Sequence, residues 1–69
     1  MKFVELNTFL KINLVVSSGG EAKRLIRSEQ VKVNGEIETR NKRKLIAGDK
    51  VLIGDNLFIV TDNVCKKEV

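Results

Sequence analysis

Apolar positions recur along this chain in two rhythms, one helical and one of strand period. Leu6, Phe9, Leu10 and Leu14 follow one another at helical spacing, which predicts a short helix over 7–13. Asn7 is placed to cap it, since its side chain can accept from a free N–H of the first turn. Phe3-Val4 reads as a short extended lead, and Leu14-Val15-Val16 as a link. Ser18-Gly19-Gly20-Glu21 fits a capping box, with Ser18 as cap and Glu21 reaching back, and predicts a second helix over 19–29. With Ala22 at 0° and about 100° per residue, Leu25 falls at roughly 300° and Ile26 at roughly 40°, an apolar face. Lys23, Arg27 and Arg24 fall at roughly 100°, 140° and 200° on the opposite side.

The period then shortens to two. Val31 and Val33 point to one side and Lys32 to the other, and Asn34-Gly35 marks a hairpin turn. A two-residue turn would set Val33 opposite Glu36 and Val31 opposite Glu38, with acids on the apolar side. A three-residue loop, Asn34-Gly35-Glu36, pairs Val33 with Ile37, Val31 with Thr39 and Lys32 with Glu38. Cross-strand pairing favours this second register. Leu45-Ile46 return to the core and Ala47-Gly48-Asp49 turns the chain. Lys50–Gly54 and Leu57–Val60 form another hairpin around Gly54-Asp55-Asn56. Leu57-Phe58-Ile59-Val60 is apolar on both sides, which predicts a covered or central strand. From Asp62 the chain is polar and reads as a frayed tail. The expected architecture is α+β: two short N-terminal helices on a small, mostly antiparallel sheet of about four strands. Residues 1–62 form one domain and 63–69 a tail. The expected core is Leu6, Phe9, Leu10, Ala22, Leu25, Ile26, Val31, Val33, Ile37, Val51 and Ile53.

Charge sharpens this picture. The net charge is +4 over 69 residues, and residues 21–44 alone carry that excess. Arg40, Lys42, Arg43 and Lys44 are four basic residues in five, just past the first hairpin. The predicted register brings this loop out near the end of the second helix, close to Arg27. Lys23, Arg24 and Arg27 are then either a solvated helix face or one half of a polyanion-binding surface shared with the loop.

At this point the residues resemble a known family. "LNTFLK", "SGGEAKRLIRSEQVKVNGEIETR" and "LIAGDKV" are similar to the S-four RNA-binding domain, named after a small-subunit ribosomal protein. The pattern is a leucine-capped first helix, small residues and alanine opening the second, isoleucine near its end, V-x-V-N-G, then G-D-x-V. The likeness spans roughly residues 5–53, and the Ser18-Gly19-Gly20 cap resembles the small stand-alone bacterial members. It implies RNA contacts from Ser18, Lys23, Arg24, Arg27, Lys32, Asn34 and Arg40. Two positions depart from the family's habit, Glu5 and Gly19 standing where many members have arginine. The free N–H groups of Gly19 and Gly20 at a helix N-terminus, with Lys42, Arg43 and Lys44 of the loop, offer other anion contacts. Asn34 remains open between turn residue and base-edge contact.

Other chemistry finds little support. With no histidine there is no His-based acid–base catalysis or metal site. Ser17 and Ser18 have no base in sight, and Gly19-Gly20 is not followed by a P-loop's Gly-Lys-Ser/Thr. Three phenylalanines and no Tyr or Trp argue against base stacking on exposed aromatics. They favour shape and phosphate recognition of folded RNA. The expectation is a non-enzymatic protein that binds structured RNA, of ribosomal or tRNA-like kind. It needs no cofactor, metal, small-molecule substrate or membrane. The alternatives are a basic protein–protein adaptor or a duplex DNA-binding module. A carrier protein of the β-grasp type is disfavoured, because the chain ends Lys66-Lys67-Glu68-Val69 and not Gly-Gly. A lone Cys65, read as an incidental thiol, fits a monomer in a reducing cytosol.

Overall fold

The structure, a computed structural model, describes residues 1–68. The chain order is β1 (Lys2–Glu5), α1 (Leu6–Ile12), α2 (Gly19–Arg27), β2 (Val31–Val33), β3 (Glu36–Ile37), β4 (Lys44–Leu45), β5 (Lys50–Ile53), β6 (Asn56–Ile59) and β7 (Lys67–Glu68). A 3-10 turn, Asp62–Val64, precedes β7. The class is α+β, as expected, but the strands of the described residues form two antiparallel sheets, ordered β4-β1-β7 and β3-β2-β5-β6. The additional sheet is built from the extended lead, Lys44–Leu45 and the C-terminal residues, each too short for a periodic signal.

The second helix follows its capping signal. Ser18 Oγ accepts from the Glu21 N–H at 3.2 Å, while the Glu21 carboxylate accepts from the Ser17 N–H at 3.0 Å, one residue earlier than in a strict capping box. The helix stops at Arg27, short of 29, because Glu29 turns left-handed at φ 66°. Ala22 and Ile26 are fully buried and Leu25 packs against the core partly exposed.

The first helix is built differently from expectation. It starts at Leu6, so Asn7 lies inside the first turn and not at the N-cap, although its Oδ1 does accept from one free donor of that turn, the Thr8 N–H at 2.9 Å. The two donors before it go to the main chain of a distant loop. Leu6 N–H donates to the Arg43 carbonyl at 2.8 Å and Asn7 N–H to the Asn41 carbonyl at 3.0 Å. At the other end Val15 N–H reaches the Leu10 carbonyl and Leu14 N–H the Lys11 carbonyl, a Schellman closure. Leu14 therefore holds the left-handed position at φ 59° and is 87% exposed, not part of the core stripe.

The first hairpin overturns the expected register. Val33 pairs with Glu36 and Lys32 with Ile37, so the loop has two residues. Asn34 at φ 53° and Gly35 at φ 87° form a type I′ turn, whose twist matches the strands it joins. Glu38 then lies beside Val31, its N–H donating to the Val31 carbonyl, and is buried; Ile37 turns outward and is half exposed. The objection to buried acid fails because Glu38 is neutralised by arginines from the following loop.

The second hairpin is also tighter than expected, with Ile53 paired to Asn56 around Gly54-Asp55. Its last strand, β6, is an edge of the sheet, not a covered strand: Phe58 and Val60 face inward, while Leu57 and Ile59 are 57% and 48% exposed. Phe58 meets Phe9 edge-on at 6.5 Å between ring centroids. Leu45 is buried, but Ile46 stays at the surface. A polar clasp joins the two hairpins. Asn34 Nδ2 donates to Asp49 Oδ1 at 3.1 Å, Asn34 Oδ1 accepts from the Lys50 N–H at 2.9 Å, and Asp49 Oδ2 accepts from the Ile46 N–H at 2.9 Å. This ties V-K-V-N-G to G-D-K-V.

Residues 62–68 are an integral part of the fold, not a frayed tail; Val69 of that expected tail lies outside the described residues. β7 pairs antiparallel with β1, and Cys65 is buried in the core with its thiol 3.8 Å from the Leu45 carbonyl. Its surroundings push the thiol pKa up, chiefly by burial, with Asp62 and Asp49 adding to it. Phe3, Val4, Val16 and Val60 complete a core that the sequence pattern left out in part.

Candidate nucleic-acid interface

The candidate site begins with the loop between β3 and β4. Its backbone is anchored at both ends of a tight turn, where Arg43 N–H donates to the Arg40 carbonyl. Two of its carbonyls, Asn41 and Arg43, complete the first turn of α1. Arg40, Lys42, Arg43 and Lys44 together line one open cleft of about 450 Å³. Lys42 and Lys44 are exposed. Lys44 Nζ sits 5.2 Å from the Phe3 ring centroid, a cation–π contact that fixes one rim of the cleft.

Beneath the cleft lies Glu38, a residue the sequence reading assigned to the strand's solvent side. Its carboxylate is 8% exposed and accepts from four donors: the Arg40 N–H at 3.0 Å, Arg40 Nε at 2.9 Å, Arg40 Nη2 at 3.1 Å and Arg43 Nη1 at 2.6 Å. The Arg40 side chain holds the Glu38 carboxyl well below the usual range, at about 2, against burial that pushes it up. The signal for this triad was in the sequence: arginines two and five residues after an acid that the I′ turn directs inward.

The other expected contacts are divided by their geometry. Lys23, Arg24 and Arg27 are exposed on the side of α2 away from Ala22 and Ile26. Among the described residues no ion pair engages them or Lys42. Lys32 stands on the solvent side of its sheet, directly opposite Ile37 and Leu52. Ser18 Oγ accepts within its own helix cap, and the Asn34 carboxamide bonds Asp49 and Lys50, the turn and clasp role of Asn34. Gly19 and Gly20 are exposed at the start of α2, but the Glu21 carboxylate already occupies the same turn. Glu5, where arginine was expected, receives Lys67 Nζ at 3.1 Å from β7 and faces Lys44 across β4.

Among the described residues no helix is long and apolar enough to cross a membrane, and no cluster of His, Cys, Asp and Glu could hold a metal ion. Comparison with known proteins points one way. The chain is 46% identical over 48 residues to "Putative RNA-binding protein YbcJ" of Escherichia coli (strain K12), covering 70% of this chain and 69% of that protein. It is 42% identical over 52 residues to "Probable ribosome maturation protein RlbA" of Bacillus subtilis (strain 168), covering 75% and 73% respectively. The family model described as "S4 domain" matches residues 1–61, from the first strand to the end of the second hairpin. With most of its length matched, this chain belongs to the S4 domain family.

Proposed function

We propose that this protein is a non-enzymatic RNA-binding module that recognises structured RNA, ribosomal or tRNA-like, through one basic face. Lys23, Arg24 and Arg27 of α2 supply one side of that face, and Arg40, Lys42, Arg43 and Lys44 the other. Ser18, Gly19, Gly20, Lys32 and Asn34 lie at its margins. The observation that carries the reading is the anchored loop, two of whose carbonyls complete the first turn of α1 and whose four basic side chains line one cleft. Rigid, exposed cations suit a polyanion of fixed shape, and the scarcity of aromatics leaves phosphates and grooves as the target. The printed names of the YbcJ and RlbA proteins, RNA binding and ribosome maturation, agree with this reading. The protein acts as a monomer in the cytosol, the unpaired Cys65 thiol fitting a reducing compartment.

Fluorescence anisotropy with an RNA hairpin, a duplex DNA of equal length and an acidic peptide tests it. The expected result is tightest binding to the hairpin, weakened by Lys42→Glu and by Arg24→Glu with Arg27→Glu. The combined variant should lose less than the two losses added, because each change spoils one shared surface. Wild-type affinity in both folded variants would sink the reading.

A further inference from the structure

We infer that Glu38 is the positioning residue of this interface: a buried acid that strengthens the grip on a polyanion by holding Arg40 and Arg43 in place. The inference rests on the RNA-binding reading. Charge alone says the opposite, since a carboxylate beneath a phosphate-binding cleft repels the ligand and lowers the local positive potential.

The geometry decides between the two. A carboxylate offers about four acceptor sites, and those of Glu38 are filled by four donors of one loop, three from Arg40 and one from Arg43. With its side chain 8% exposed, Glu38 itself presents little to a ligand. The Arg40 guanidinium is 72% exposed and turns its Nε–Nη2 edge to Glu38. Nη1 and the second Nη2 proton remain, and they form the other edge of the planar fork, which can take a phosphate in the same two-bond manner. Arg43, 32% exposed, is fixed from the same carboxylate. An arginine on a surface loop ordinarily loses rotamer freedom when a ligand arrives, which weakens binding. Here that freedom is already lost on folding. The type I′ turn is what makes this possible, since the longer loop would have placed Ile37, not Glu38, on the inward side.

The test exploits the opposite signs. Glu38→Gln keeps the shape and raises the net charge by one. If charge dominates, the variant binds an RNA hairpin more tightly. If Glu38 positions the arginines, it binds more weakly, by roughly tenfold for two released side chains. The free protein gives a second readout: the Arg40 Nε–H signal in NMR should exchange slowly in wild type and fast in the variant. Arg40→Lys, which keeps the charge and loses the fork, should weaken binding similarly, and it carries the test alone if thermal melts show Glu38→Gln unfolded. Equal or tighter binding by a folded Glu38→Gln, or unchanged binding by Arg40→Lys, overturns the inference while leaving RNA binding intact. A wild-type protein that ignores the hairpin overturns the functional reading, and the inference with it.

Discussion

Two residues carry consequences larger than their size. Glu38 titrates at about 2 in the folded chain against an ordinary value of 4.5. A depressed carboxyl favours the fold above its unfolded pKa and loses that contribution as pH falls through the folded one. Stability should therefore decline between roughly pH 5 and pH 2. Melts across that range should show Glu38→Gln losing less than wild type, and parallel curves would contradict the triad. Leu14 is the second. Its left-handed backbone at φ 59° suits glycine, and its exposed side chain gives little packing in return. Leu14→Gly should stabilise the protein by about 1 kcal/mol, a rise in melting temperature of roughly 4–8 °C for a domain of this size. A lower melting temperature would mean that Leu14 contributes packing the structure does not display.

At the scale of elements, what the sequence disclosed and what it hid have separable causes. Local signals were legible. Ser18 and Glu21 announced α2, and the alternation of Val31 and Val33 announced β2 with its core side. Asn34-Gly35 announced a turn, but its length depended on whether Glu38 could be buried, which arginines beyond the strand decided. The cap of α1 was invisible because it comes from carbonyls more than 30 residues away, which no local pattern encodes. β7 was missed because a two-residue strand of Lys67-Glu68 looks polar, and only its partner β1 gives it a place. The basic cleft was legible as composition, whereas Glu38 beneath it showed only as a spacing to Arg40 and Arg43 whose meaning depended on the turn. The C-terminal element yields a direct test. A chain ending at Thr61 keeps the whole S4 match but loses Cys65 from the core and β7 from the sheet. Its melting temperature should fall by about 10 °C or more; an unchanged melt would show that residues 62–68 are dispensable.

For the whole molecule, the thin core and the uneven charge meet in one design. A chain of this length buries only about 60% of the surface its unfolded form exposes, and the loop between β3 and β4 is tied into its fold. The loop is used twice, its main chain for the fold and its side chains for charge. The net charge of +4 lies within residues 21–44, so association with RNA should be dominated by displaced counterions. Log affinity against log salt should fall with a slope of about −0.7 per phosphate contacted in single strands and nearer −0.9 in duplex. The Lys42→Glu variant should flatten that slope by roughly one contact.

The carbonyls of Asn41 and Arg43 that close the first turn of α1 also bear on how such a chain can vary. Surface loops ordinarily accept extra residues at small entropic penalty. Here an added residue between Arg40 and Lys44 would draw one carbonyl off the helix and leave a backbone donor unmatched. The exposed Lys42 and Lys44 can be exchanged without disturbing a buried partner, whereas Arg40 and Arg43 are held by Glu38 and the loop's length by a helix more than 30 positions earlier. Surface charge can therefore vary at Lys42 and Lys44 within a loop of constant size.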